Sequence, residues 1–160
     1  MGPKIIKRES FQLIGYHLFT NLKEMAEKNV TEETIARLME VAGTIENRVS
    51  DHIYLLQIYP MMEEFNPLED RYSQIIGFVS ENCRDLPDTT IRYHVEENLY
   101  VHWKHDGAKA DSYKSYDYLY NQWMVENRCI PLGYEIEVWN PKQQDAPVDI
   151  YIAISKLNGV

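Results

Sequence analysis

Apolar residues alternate with polar ones over most of the chain, which is typical of strands with one buried face. Gly15 and Gly77 each interrupt such a segment, and a glycine inside a strand indicates a bulge or a close backbone approach. The predicted strands are Phe11–Phe19, Ile53–Tyr59, Tyr72–Ser80, Thr90–Val95, Leu99–His105, Tyr134–Asn140 and Val148–Ser155.

Two segments have the three-to-four-residue apolar spacing of a helix. In the first, Thr31 is a candidate N-cap followed by acidic residues, and the spacing predicts a helix from Thr31 to about Arg48. The second begins near Ser112 and places four large apolar or aromatic side chains on one side: Tyr116, Leu119, Tyr120 and Trp123.

The order strand, helix, strand, strand occurs twice, and in the second half Thr90–Val95 and Leu99–His105 are predicted to form a hairpin about Glu96-Glu97-Asn98. This order predicts an α+β fold, a duplicated β-α-β-β unit in which one curved antiparallel sheet has two helices on one side. We expect one domain over 1–160, with pseudo-repeats at about 5–82 and 88–157. A ligand cleft is expected where the halves meet.

The strand Tyr134–Asn140 contains the most distinctive pattern. Its alternation places Glu135, Glu137 and Trp139 on one face and Tyr134 with two aliphatic residues on the other. Carboxylates beside an indole suit an organic cation, although a solvated strand face explains the same residues.

Charge and composition narrow the possible partners. A net charge of −9 argues against direct binding of nucleic acid and of anionic membranes, and it favours neutral or cationic ligands. No apolar run approaches the ~20 residues of a membrane span, and no signal peptide is recognisable. The two cysteines, Cys83 and Cys129, lie far apart, so a reduced cytoplasmic protein is expected.

Neither a metal nor another cofactor is expected. His102, His105 and Asp106 are close in sequence, but on a strand the two histidines face opposite sides. Phosphate-binding loops, nucleophile elbows and Cys–His pairs are not recognisable in the sequence.

Six segments in register resemble one known family. The chain resembles the effector-binding domain of bacterial AraC- and MerR-type transcription regulators, which includes gyrase-inhibitory-protein-like domains. The Thr-Asn after the first strand makes it most similar to the free-standing integron-cassette branch. The segments are Phe11–Asn21, Tyr72–Val79, Leu86-Pro87 with Tyr100–Gly107, Tyr120–Trp123, Glu137–Trp139 and Asp149–Ile154.

The resemblance implies a cavity for organic cations in which a buried glutamate, here Glu137, pairs with the ligand's charge. Glu135, two residues earlier on the same face, is then expected at the rim of the cavity or in solvent. It places stacking aromatics at Trp103, Trp139 and Tyr151. Trp103 replaces the family's usual Phe, Trp139 replaces Tyr, and Ala153 replaces Pro, so the ligand is expected to differ while the fold is kept.

Three more residues complete the candidate site. Tyr59 is a symmetry mate of the second-half aromatics, and Tyr100, like Tyr151, offers a hydroxyl group. Trp123 has helical spacing typical of a core residue, although it could line the cavity floor.

The function expected from this resemblance is small-molecule binding without catalysis, as a sensor or a sequestering module. Because the chain shows no basic helix-turn-helix segment, any transcription regulator is expected to be a separate partner. Two alternatives remain at this point. One is hydrolysis of strained electrophiles with Glu137 as general base, and the other is a protein-binding module like the gyrase inhibitors.

Overall fold

One eight-stranded antiparallel sheet forms the centre of the molecule. The structure, a computed structural model, describes residues 2–143 and 145–157. The strands are β1 (Lys4–Arg8), β2 (Phe11–Thr20), β3 (Ile53–Ile58), β4 (Tyr72–Ser80), β5 (Ile91–Val95), β6 (Asn98–His105), β7 (Cys129–Trp139) and β8 (Val148–Lys156). The α-helices are α1 (Leu22–Lys28), α2 (Val30–Val41), α3 (Ser112–Tyr118) and α4 (Met124–Glu126).

The first helical region differs from the prediction. Asn21 caps α1, since its side chain accepts a hydrogen bond of 2.8 Å from the Glu24 amide. Asn29, in the left-handed conformation with φ 50°, separates α1 from α2. The helix predicted from Thr31 to Arg48 is therefore wrong at both ends, because α2 begins at Val30 and gives way to a 3-10 turn at Ala42–Thr44.

The predicted hairpin between Thr90–Val95 and Leu99–His105 does not form. The strand order is β1-β6-β8-β7-β3-β4-β2-β5, so β5 pairs with β2 while β6 pairs with β1 and β8. The pairs Arg8↔Asn98 and Phe11↔Val95 follow the same register. β5 and β6 therefore run as one long strand along β1 and β2, and Glu96-Glu97 interrupts it. The prediction is wrong because the acidic pair does not reverse the chain.

The strand order is the same in both halves. The first half contributes β3-β4-β2 and the second contributes β7-β8-β6, and the two sets meet where β3 pairs with β7. This central pairing is antiparallel and joins Leu55 to Glu137 and Gln57 to Glu135. The halves therefore meet at the predicted carboxylate strand, and an origin by duplication stays a prediction.

The two faces of the sheet have different coverings. One face packs into a single cluster that draws on both ends of the sheet and includes Leu13, Tyr100, Ile136 and Ala153, so the sheet curves about this face. The opposite face is covered by helices in two clusters, one around Leu38 of α2 and one around Leu119 and Met124. The predicted α+β class with a curved sheet and helices on one side is confirmed.

The glycine prediction is confirmed as a close approach. Gly15 and Gly77 face each other across β2 and β4. A Cβ atom on Gly15 would clash with the Ile76 carbonyl oxygen, and one on Gly77 would clash with that of Ile14. In the described residues, the helices are too short or too polar to cross a bilayer.

Candidate functional site

The alternation predicted for β7 is present. Leu55 on β3 and Ile150 on β8 flank Glu137, and both belong to the helix-covered face. Residues directly opposite in an antiparallel pair share a face, so Glu137 lies beneath the helices between the two clusters. Ile136 and Val138 point into the cluster on the other side.

Glu135 is enclosed by tyrosines from both halves. The side chain of this residue belongs to the buried polar groups, with 3% exposure. The Tyr120 hydroxyl donates to its Oε2 at 2.6 Å, and the Tyr59 hydroxyl donates to its Oε1. The predicted rim position is wrong, because the helix that follows β6 folds its tyrosines over β7, a contact between distant parts of the chain.

Glu137 is buried as well, with 7% exposure. The Tyr116 hydroxyl donates to its Oε2 at 2.7 Å, and the Trp139 indole N–H donates to its Oε1 at 2.9 Å. The carboxylate and indole that the sequence placed on one face therefore bond each other directly. Lys109 lies over the Trp139 ring, 5.2 Å from its centre.

An aromatic wall surrounds the two carboxylates. Tyr59 packs against Tyr72 with ring centres 5.0 Å apart and against Phe65 at 5.4 Å. Tyr116 and Tyr120 lie one helical turn apart with nearly parallel rings. Of these residues, sequence reasoning named only Tyr59 as a site residue. The one signal for Tyr116 and Tyr120 was their four-residue spacing on a single helix side.

The helix that carries these tyrosines is irregular. It begins as α3, passes through a π-helical turn at Leu119–Trp123 and ends as α4. Such π-turns occur frequently at functional sites and interrupt the regular hydrogen-bond ladder. Tyr120 lies within the π-turn, so the covering of Glu135 depends on a segment that is less regular than an ordinary helix.

Burial shapes the electrostatics of the site. Desolvation raises the pKa of Glu135 to about 7, and the charge of Glu137 adds to this rise, while the Tyr120 and Tyr59 hydrogen bonds act in the opposite direction. Burial also raises the pKa of Tyr116, with the Glu137 charge as the next cause. The Tyr116 hydroxyl therefore stays protonated at neutral pH and serves as a donor.

Trp103 and Trp123 lie on the helix-covered side of the sheet, but within the described residues neither donates a hydrogen bond to Glu135 or Glu137. Trp103 pairs with Ile150, which places it two strands from Glu137, and its indole N–H donates to the Ser115 hydroxyl at 3.1 Å. It lines a separate surface cleft of about 380 Å³. Trp123 packs against the Leu119 cluster, the core position that its spacing favoured.

Tyr100 and Tyr151 lie on the opposite face from Glu137. Tyr151 pairs with Ile136, and both tyrosines belong to the cluster about which the sheet curves. The Tyr151 ring stacks on the His102 ring with their centres 4.5 Å apart, and the Arg8 guanidinium carbon lies 4.7 Å from the centre of the Tyr151 ring. Side chains alternate between the two faces of a strand, so Tyr151 points away from its neighbours Ile150 and Ile152, which pack beneath the helices.

The structure thus brings together Glu137, Trp139 and Tyr59 from the predicted set and adds Glu135, Tyr116, Tyr120 and Tyr72. His102 bonds Asp149 at 2.8 Å, whereas His105 bonds Ser115 at 2.8 Å. Within 2–143 and 145–157, no three His, Cys, Asp or Glu side chains are arranged to hold a metal.

A family model described as integron-associated effector binding protein, Cass2, matches residues 4–154. The chain belongs to this family. The family model spans almost all of the described sheet, from β1 into β8.

A curated transcription regulator is similar to this chain in sequence. The transcriptional regulator BrlR of Pseudomonas aeruginosa is 24% identical over 160 residues, which is 96% of this chain and 56% of BrlR. The chain therefore spans about half the length of this curated relative.

Two solved structures share the fold at low identity. SAV2435 bound to tetraphenylphosphonium has a TM-score of 0.70 and 12% identity, with 98% of this chain and 96% of that chain covered. A hydrolase from Listeria innocua, encoded by lin2189, has a TM-score of 0.58 and 11% identity, with 96% and 91% covered. Effector binding is thus the property that the family description names.

Proposed function

We propose that the Glu135–Glu137 site binds hydrophobic organic cations, with Glu137 as the anchor for the positive charge. The observation that carries this proposal is that two buried carboxylates lie side by side while their hydrogen bonds come from neutral groups. Among the ion pairs of the described residues, none involves either glutamate.

A buried carboxylate without a cation is costly, because its burial removes hydration that neutral donors replace only in part. A hydrophobic cation supplies the missing charge and stacks on the surrounding rings, and each such contact contributes ~0.5–2 kcal/mol. An anionic ligand gains neither contribution. Selectivity for cations then needs no detailed hydrogen-bond code, so chemically varied ligands can share the site.

Ligand entry requires the tyrosine side chains to move away from the carboxylates. Tyr59, Tyr116 and Tyr120 are each only half-buried, and their hydroxyl groups cover Glu135 and Glu137. We infer that an entering cation displaces these hydroxyls and uses the same rings as stacking surfaces. The π-turn within their helix provides a backbone segment in which such a shift costs few regular hydrogen bonds.

The relatives support this assignment. SAV2435 shares the fold and its structure contains a bound hydrophobic cation. The similarity to BrlR supports a link to transcription regulation, and we propose that this chain acts as an effector-sensing or sequestering module.

Titration with ethidium, a planar aromatic cation, tests the anchor. We expect quenching of tryptophan fluorescence, because Trp139 bonds Glu137 directly. Glu137→Gln keeps the shape of the side chain and removes its charge, so affinity is expected to fall by roughly tenfold or more. Glu27→Gln, an exposed substitution on α1 with the same change in net charge, is the matched control and keeps the parent affinity.

Equal ethidium affinity in the parent and in Glu137→Gln would show that Glu137 is not the anchor. A similar loss in Glu27→Gln would show that only the overall charge of the protein matters. Circular dichroism of each variant checks that the fold is kept.

A second candidate function is hydrolysis of strained electrophiles. The specific observation is that Glu135 has its pKa raised to about 7 by burial and lies beside the hydroxyls of Tyr59 and Tyr120. A general base works best with a pKa near the operating pH. Incubation with a cyclopropane-containing alkylating compound and analysis of the products tests this function, and ring-opened product that requires Glu135 or Glu137 would favour it over simple binding.

A further inference from the structure

The two buried glutamates differ in a way that bears on the ligand's charge. We propose that this site selects organic dications whose two charges are spaced like Glu135 and Glu137, and that Glu135 gives up a proton to solvent when the second charge binds. The proposal rests on the proposed function and specifies its ligand class.

The spacing follows from the strand. Glu135 and Glu137 lie two residues apart on one face of β7, and a rise of ~3.3 Å per residue separates their Cα atoms by about 6.6 Å. Both are buried under the same aromatic wall. A rigid ligand with two cationic centres at that spacing can therefore place one against each carboxylate.

Glu137 has one hydrogen-bond partner that can only donate. Its Oε1 accepts from the Trp139 indole N–H, a group that donates and cannot accept. Its Oε2 accepts from the Tyr116 hydroxyl. A proton on Oε1 would face the indole proton, so Oε1 is arranged as an acceptor.

Glu135 has partners that suit both protonation states. The Tyr59 oxygen lies within hydrogen-bond distance of Glu135 Oε1 and also 3.0 Å from Gln57 Oε1, yet the hydroxyl has only one proton to donate. When Glu135 is ionised, Tyr59 donates to it. When Glu135 is protonated, it donates to the Tyr59 oxygen and Tyr59 donates to Gln57.

The titratable groups that face Glu135 come from several elements, and within the described residues none of them forms an ion pair with it. Burial raises the pKa of Glu135 to about 7, and the charge of Glu137 acts in the same direction. This value agrees with a proton held on Glu135 near neutral pH. These titratable neighbours are Glu137 on β7, Tyr59 after β3, Tyr72 on β4, and Tyr116 and Tyr120 on the helical segment, with Lys109 beside Trp139.

The charge balance then sets the pH dependence. A monocation pairs with Glu137, and Glu135 remains neutral with its proton. A dication requires the Glu135 carboxyl to lose that proton to solvent, so one proton is released for each dication bound. Dication affinity should therefore rise by up to tenfold per pH unit below about pH 7 and level off above it.

Two probes of nearly identical shape separate these cases: N,N′-dimethyl-4,4′-bipyridinium, a dication, and N-methyl-4-phenylpyridinium, a monocation. Isothermal titration of the full chain at pH 8 is expected to show about tenfold or tighter binding of the dication. At pH 6 this preference should shrink by about tenfold. Buffers of different ionisation enthalpy, at pH 6, should report release of about one proton with the dication and none with the monocation.

Two variants test whether Glu135 causes the preference for the dication and the proton release. Glu135→Gln should bring the ratio of the two affinities close to one and abolish proton release. Tyr59→Phe removes a donor to the ionised carboxylate but keeps the ring, so the midpoint of the pH dependence should move to higher pH. If Glu135→Gln does not fold, as judged by circular dichroism, proton release in the parent and the shift in Tyr59→Phe still decide the matter.

The outcomes separate this inference from the proposed function. Monocation binding that depends on Glu137, without a preference for the dication at pH 8, would overturn the inference alone. So would a preference that persists in Glu135→Gln, or dication binding at pH 6 without proton release. Failure of both probes to bind the parent would instead overturn the proposed function.

Discussion

Glu135 and Glu137 are chemically identical residues whose environments give them different properties. Glu137 accepts from an indole N–H and a phenol, whereas Glu135 accepts from two phenols, one of which can also bond Gln57. Neighbouring groups, rather than residue type, decide which carboxylate holds a proton.

The raised pKa of Glu135 predicts how stability depends on pH. Its folded-state value, about 7, exceeds the ordinary 4.5, so the folded protein binds more protons than the unfolded chain between these values. The stabilisation is fully present below pH 4.5 and is lost as pH rises through about 7, a change on the order of 3 kcal/mol.

Urea unfolding of the parent and of Glu135→Gln at pH 4.5 and pH 8 measures this contribution. The free energy of unfolding of the parent should fall, relative to the variant, as pH rises. A difference between the two proteins that stays constant across this range would show that Glu135 titrates normally.

At the scale of elements, β7 depends on an irregularity near its start. The β7–β8 register shifts between Pro131 and Glu135, and Gly133 within that stretch has φ +93°. The Tyr59 amide donates to the Gly133 carbonyl at 2.8 Å, which ties the bulge to the residue that bonds Glu135. Bulges redirect the strand that follows them, so this one helps to aim Glu135 at the helices.

Gly133→Ala tests the role of this bulge. A Cβ there has ordinary space, 3.9 Å from the Tyr59 carbonyl oxygen, so the expected loss of about 1–2 kcal/mol in unfolding free energy comes from the positive φ. Gly43→Ala is the matched control, since Gly43 has open space and no positive φ.

Thermal unfolding followed by circular dichroism compares these variants. We expect a lower midpoint for Gly133→Ala, together with weaker cation binding, and little change for Gly43→Ala. Equal midpoints for the two would show that the bulge tolerates an L-residue without strain.

At the scale of the whole molecule, three strand pairings join the halves. β3 pairs with β7 in the middle of the sheet, and the interrupted strands β1/β2 and β5/β6 pair along one register at its ends. The cluster about which the sheet curves contains residues of both halves. We therefore expect the two halves to unfold together rather than one after the other.

Leu38→Ala examines this coupling. Leu38, fully buried in the first-half cluster, should cost about 2–5 kcal/mol on truncation. All three tryptophans, Trp103, Trp123 and Trp139, lie in the second half of the sequence. The midpoint from tryptophan fluorescence should therefore shift as far as that from far-UV circular dichroism, and a fluorescence midpoint left at the parent value would reveal independent halves.

Local patterns by themselves determined much of the architecture. The two-residue alternation of β7, the apolar segments of β4 and the glycines at 15 and 77 were sufficient to predict strands, their faces and a close approach. These features depend on steric and hydrophobic preferences of adjacent residues, which the sequence states directly.

Only the tertiary structure decided which strands pair and which side chains meet at the carboxylates. The acidic pair Glu96-Glu97 looks like a turn in sequence but interrupts a long strand, because β1/β2 offers a longer partner. Likewise, Glu135 is buried because Tyr59 and Tyr120, 76 and 15 residues away, converge on it. Burial and hydrogen bonding between distant segments depend on packing, which no local pattern contains.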